Sequence, residues 1–229
     1  MRRLLLALLA VAQLSGCGSS DSRPAKTPVA GGDASRASGA EVPAGANGNR
    51  FFSPVAGVSV EKRPSWVFGT LESELANRRA VSVGREETDA VMHEGKTPPL
   101  VVIARYEEPS AKPNPTLKIN LRELGEVHGA SALAITRAVA DAMAKAIPSF
   151  ELEGAVQATH LSGLDAGTFR AHFTLEVPDL ARSFDIKTQA WIVPRGDHVF
   201  IIAASDPSEG AEDFEADFQA MVATIVIRK

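Results

Sequence analysis

Hydrophobic and polar positions alternate most clearly in the C-terminal half of the chain. Phe169, Ala171, Phe173, Leu175 and Val177 alternate with Arg170, His172, Thr174 and Glu176. A period of two sends successive side chains to opposite faces, so this stretch predicts a strand with one buried face. Phe184, Ile186, Ala190 and Ile192 share one parity and predict a second strand over residues 183–193. Pro194, Arg195, Gly196 and Asp197 supply a turn, and residues 199–204 read as a third, more fully buried strand. The three predict an antiparallel meander. Residues 151–159 predict one more strand ahead of it. Asp206-Pro207-Ser208-Glu209 reads as a helix start. Asp206 can cap, Pro207 suits the first helical position, and Glu209 suits the positive end of the helix dipole. Ala211, Phe214, Phe218, Met221 and Ile225 give that helix or its continuation one apolar stripe.

The first half is mixed. Phe51-Phe52 and residues 58–61 predict short strands around a turn at 54–57. Residues 100–106 form a β-rich apolar run that predicts a central strand. Leu117, Ile119 and Leu121 alternate with Lys118, Asn120 and Arg122 and predict another. Between residues 131 and 147, Ile135, Val139, Met143 and Ile147 recur at steps of four, opposite Arg137, Asp141 and Lys145. That pattern predicts an amphipathic helix, stopped by Pro148. Residues 70–81 carry a poor helical pattern. The element order predicts an α+β domain, an antiparallel β-sheet covered by helices.

The N-terminus reads differently. Arg2 and Arg3 precede an unbroken apolar run over residues 4–12, and Leu14-Ser15-Gly16 leads into Cys17, the single cysteine. The run is about half the roughly 20 residues a membrane span needs. The arrangement resembles a bacterial lipoprotein signal with its lipobox, Leu14, Ser15, Gly16 and Cys17. The resemblance implies diacylglycerol on the Cys17 thiol, cleavage before it, and a further acyl chain such as palmitate on the new amino terminus. It makes the lipid bilayer a partner through acylated Cys17. Gly18 is not the aspartate that commonly retains such proteins in an inner membrane, so an outer-membrane anchor facing the periplasm is favoured. Residues 18–49 are dominated by Gly, Ala, Ser and Pro, and so cannot bury enough apolar surface to offset chain entropy. They are expected to act as a flexible tether spanning about 30 Å. The expected organisation is a leader over 1–16, lipidated Cys17 and tether over 17–49, and one domain over 50–229.

Charge and chemistry exclude more than they select. The chain carries 24 basic and 28 acidic residues, a formal net charge of −4. Loss of Arg2 and Arg3 with the leader makes the balance more acidic. Neither nucleic acid nor anionic lipid headgroups are therefore expected partners. His93-Glu94 begins like a zinc-protease motif, but no histidine follows four residues after the first. His128, His160, His172 and His198 are scattered. The acidic stretch from Asp206 departs from a calcium-loop pattern at its glycine and final glutamate. Arg195-Gly196-Asp197 is accounted for by a tight hairpin turn. No phosphate loop, dinucleotide motif, nucleophile elbow or Cys-x-x-Cys occurs, and no catalytic residue, metal ligand or cofactor site is assigned. Trp66 reads first as a packing anchor. If exposed beside Phe68, it would become the first candidate for a partner surface.

Across residues 51–227 the sequence also resembles the PsbP-like superfamily, which includes photosystem II extrinsic subunits, a Ran-binding import factor and DcrB-type bacterial lipoproteins. The resemblance rests on Phe52-Ser53 with Gly57-Val58-Ser59-Val60, on Pro64-Ser65-Trp66, on residues 163–173, on Gln189-Ala190-Trp191, and on Phe214 with Phe218. It implies an α-β-α sandwich used for binding and assembly, generally without catalysis. It implies no manganese or calcium here, because no ligand position matches. The leading expectation is a membrane-tethered, non-catalytic module for an envelope protein partner or an apolar segment. The alternatives are an envelope hydrolase and a purely structural lipoprotein.

Overall fold

The long strands set the architecture. In the computed structural model, residues 44–94, 97–108, 114–207 and 214–228 are described. Strands β9 (Leu164–Val177), β10 (Arg182–Arg195) and β11 (His198–Pro207) form the expected antiparallel meander. β11 pairs with β6 (Thr116–Glu123), β6 with β5 (Val101–Ala104), and β5 with β4 (Val67–Phe68). On the other edge β9 pairs with β7 (Glu151–Leu152) and β8 (Gln157–Leu161), giving an eight-stranded sheet. A second, four-stranded sheet runs in the order β1 (Ala46–Asn47), β2 (Arg50–Ser53), β3 (Val58–Glu61), β12 (Val226–Ile227). Every strand pair in both sheets is antiparallel.

Four α-helices lie among the described residues: α1 (Leu71–Ala80), α2 (Glu86–Glu94), α3 (Ala132–Ala146) and α4 (Glu215–Val222). Helix α3 buries Ile135, Val139 and Met143 against Phe169, Ala171, Phe173, Ile186 and Ile192 on one face of the large sheet. Each of the Ile, Val, Met and Phe side chains contributes about 1.5–3 kcal/mol on burial. Gly167 lets α3 approach β9 closely, because a Cβ at that position would collide with Thr136. The opposite face carries a second core. There Val101, Ile103, Leu117, Ile119, Phe200 and Ile202 meet Phe51, Val58 and Val60 of the small sheet and Phe218 and Met221 of α4. The fold is therefore α+β, an antiparallel sheet covered by helices on one face and by a small sheet plus a helix on the other.

Several expectations need correction. Residues 151–159 are not one strand: β7 and β8 are separate, and Glu153 N donates to Arg170 O between them. Asp206 and Pro207 do not open a helix. They end β11, opposite Lys187 and Ile186, and α4 begins at Glu215. The ladder claims these residues first, and a strand end tolerates proline. Ser208, Glu209 and Ala211 lie outside the described residues. Ile225 follows α4 and leads into β12 on the small sheet. Helix α2 was not expected at all, and His93 sits near its end, with Nε2 2.9 Å from Val81 O. The first described strand, β1, falls within residues 17–49.

Candidate functional site

The lipobox residues Leu14, Ser15, Gly16 and Cys17 lie outside the described residues. Trp66 is not a partner surface. It is 1% exposed, edge-on to Phe214 and Phe218 at 5.9 and 5.3 Å, and its Nε1 donates to Asp217 Oδ2 at 2.9 Å. The indole finds apolar rings for its body and a carboxylate for its polar tip, so burial satisfies both. Phe68 is half-buried on β4, packed against the second core, with Lys62 Nζ 5.7 Å from its ring centroid. The two aromatics therefore do not form the exposed pair that a shared docking surface requires.

The five histidines do not converge. His128 pairs with Asp197, His160 with Asp165, and no group of three metal-capable side chains occurs among the described residues. No helix among them is long and apolar enough to cross a membrane.

Polar chemistry concentrates in two other places. The first is open. The small sheet and α4 cover β5, β6, β11 and the end of β10, and on the same side of β9 and β10 the described residues leave Arg170, Asp185 and Lys187 exposed. Register puts Arg170 opposite Gln189, His172 opposite Lys187, and Thr174 opposite Asp185 on that face. His172 Nε2 lies 3.5 Å from Glu151 Oε2 on β7, and its Nδ1 lies 3.9 Å from Asp185 Oδ1. At the border with α4, Arg170 Nη2 reaches Glu215 Oε1 at 2.6 Å, and Gln219 Nε2 donates to Gln189 Oε1 at 3.0 Å. This is a mixed-charge sheet face, on which the His172 side chain is 37% exposed. It offers cross-strand charges and hydrogen-bonding groups to a polar surface.

The second place is buried. On the α3 side of the sheet, β6 turns Thr116, Lys118 and Asn120 inward beneath α1. Thr70 caps α1 through a reciprocal box with Ser73, at 3.0 Å from Ser73 N to Thr70 Oγ1 and 3.1 Å from Thr70 N to Ser73 Oγ. The only side chains α1 fully buries are Glu74 and Arg78. Glu74 Oε2 lies 2.9 Å from Lys118 Nζ, and Glu74 Oε1 lies 3.1 Å from Arg78 Nη2. Arg122 Nη1 donates to Leu121 O at 2.8 Å and Nη2 to Thr97 O at 2.9 Å. Burial lowers the Lys118 pKa from its ordinary value, against the opposing pull of Glu74. Burial, with Arg78 adding to it, brings Arg122 down to about 10. Asn120 Nδ2 and Thr116 Oγ1 have no hydrogen-bond partner among the described residues. The cluster fixes α1 to the sheet by charge instead of by an apolar stripe.

Sequence reasoning missed this cluster. Lys118, Asn120 and Arg122 look like the polar side of a half-buried strand. The available signal was the Glu74–Arg78 spacing, which puts both on one helix face, together with a central position for β6.

The sequence matches no family model and no curated protein. Among solved structures it is similar to LpqN of Mycobacterium tuberculosis, described as involved in cell envelope biogenesis, at 12% identity and a TM-score of 0.46, over 81% of this chain and 88% of that one. It is also similar to the cyanobacterial PsbP of Synechocystis, at 10% identity and a TM-score of 0.47, over 78% and 91%. A Bacteroides thetaiotaomicron protein aligns at 14% identity and a TM-score of 0.42, and there the chain spans about half of its partner, 49%, using 80% of its own length. These likenesses are too distant to carry any argument about function.

Proposed function

We propose that the chain is a lipid-anchored envelope protein whose domain is a non-catalytic binding or assembly module, with the charged face of β9 and β10 as its binding face. The observation that carries this reading is the β9–β10 face where, among the described residues, Arg170, Asp185 and Lys187 are exposed and His172 is half-buried. The sequence supports the address: Leu14-Ser15-Gly16-Cys17 follows a short basic and apolar leader, and Gly18 favours the outer membrane, facing the periplasm. The partner is a protein with a polar, mixed-charge surface, since complementary charges supply register and specificity on such a face. An apolar segment fits less well. None of the most exposed large hydrophobics, Val55, Leu71, Leu152, Leu180 and Val226, lies on β9 or β10. The hydrolase reading requires a nucleophile and a base gathered together, and the groups beside His172 are the carboxylates of Glu151 and Asp185.

Site-specific photocrosslinking tests the binding face. A photoreactive residue at Lys187 in the full chain should give one discrete adduct in intact cells, and the same residue at Arg137, on the outer side of α3, should give none. Equal adducts at the two positions, or none at either, would overturn the assignment of this face.

A further inference from the structure

The strongest remaining feature is the outer face and tip of the small sheet. Val55, at the β2–β3 turn, is 96% exposed, more than any other large hydrophobic residue described. Register places Phe52, Ser59 and Val226 side by side on the outer face, with Phe52 half-buried and Val226 exposed. Three arginines border them. Arg228 stacks on Phe52 at 4.8 Å, Arg195 Nη1 donates to Arg228 O at 2.9 Å, and Arg50 Nη2 donates to Ser59 Oγ at 3.4 Å. The patch stands out in a chain with more acidic than basic residues. The acidic groups near it are Glu61, directly opposite Arg50, Asp197, 3.0 Å from His128, and Asp165, 3.1 Å from His160.

The described chain also enters at this end. Phe52 N donates to Gly45 O, so residues 44 and 45 lie beside Phe52 and the β2–β3 turn. Residue 44, the first one described, therefore lies at the same end as the β2–β3 turn.

We infer that this end docks on an anionic lipid surface, with Val55 entering the headgroup boundary and Arg195 and Arg228, both beside Gly57, meeting lipid phosphates. The inference rests on the lipid-anchored reading above. Small apolar groups rimmed by cations are the chemistry of interfacial binding. Each arginine held at an anionic surface shifts the docked-to-free ratio about fivefold. An anchor alone would leave the domain free to tumble on its tether. The patch gives it a preferred orientation, and β10 carries the chain roughly 40 Å from this end to the opposite turn.

The two native tryptophans make a clean test, because Trp66 and Trp191 are both buried. The acylated full chain carrying Val55→Trp is reconstituted into phosphatidylglycerol-rich vesicles with brominated acyl chains, and Leu180→Trp reports the opposite turn. Flotation with the vesicles reports the anchor, and quenching reports docking. The expected result is flotation of both variants, with quenching at position 55 only. Adding Arg195→Gln and Arg228→Gln, or replacing the anionic lipid with phosphatidylcholine, should remove most of that quenching. Flotation with no quenching at 55, or with equal quenching at 55 and 180, overturns the docking while leaving the anchor standing. Absence of flotation overturns both.

Discussion

Glu74→Ala will destabilise the domain by about 3–5 kcal/mol in urea unfolding, a large effect for one helix side chain. Glu74 and Lys118 are 3% and 1% exposed and lie 2.9 Å apart. Removing the carboxylate leaves a buried ammonium whose charged form burial already disfavours. Arg78 loses the same partner. The cost therefore comes from stranded charge more than from the lost attraction. A coordinated change of Glu74, Arg78 and Lys118 to apolar residues of similar volume should recover most of the loss, because buried ion pairs often contribute little net stability over a packed apolar contact. A Glu74→Ala variant within about 1 kcal/mol of the parent would show that water reaches the cluster.

Trp66→Ala should cost a similar amount, about 3–5 kcal/mol, for a different reason. The indole fills the space between the entry to β4 and helix α4, against Phe214 and Phe218. Truncation opens a cavity that two rings cannot collapse into without moving α4. Trp66→Phe keeps part of the ring packing and loses the Nε1 bond to Asp217. That change should cost about 1.5–3 kcal/mol, the range for hydrogen bonds to charged groups. Hydrogen exchange should show α4 and β12 losing protection first in the alanine variant. Uniform loss across the large sheet would contradict this local role.

Those two sites mark where sequence patterns sufficed and where they did not. The β9–β11 meander was legible because every second residue of a strand meets the same core, and Phe169 to Val177 keep strict alternation. Helix α3 was legible because Ile135, Val139 and Met143 repeat at helical spacing. Helix α1 was poorly legible because its buried face is Glu74 and Arg78, which reads as solvated surface. Strands β1, β4 and β12 are two residues each, too short to show any period, and their partners create them. The start at Asp206 failed because cap chemistry competes with a sheet ladder, and the ladder wins once β10 is long enough to pair with it. The charged face of β9 and β10 was half legible. His172 was read onto the polar side of its strand, but no single strand pattern reveals what the neighbouring strands set beside it.

The binding face and the lipid-facing end both depend on the domain being held at a membrane by Cys17. Metabolic labelling with a radioactive fatty acid, comparing the parent chain with Cys17→Ala, tests that most directly. The account predicts a labelled, processed parent and an unlabelled, unprocessed variant. Labelling that persists in Cys17→Ala would contradict it.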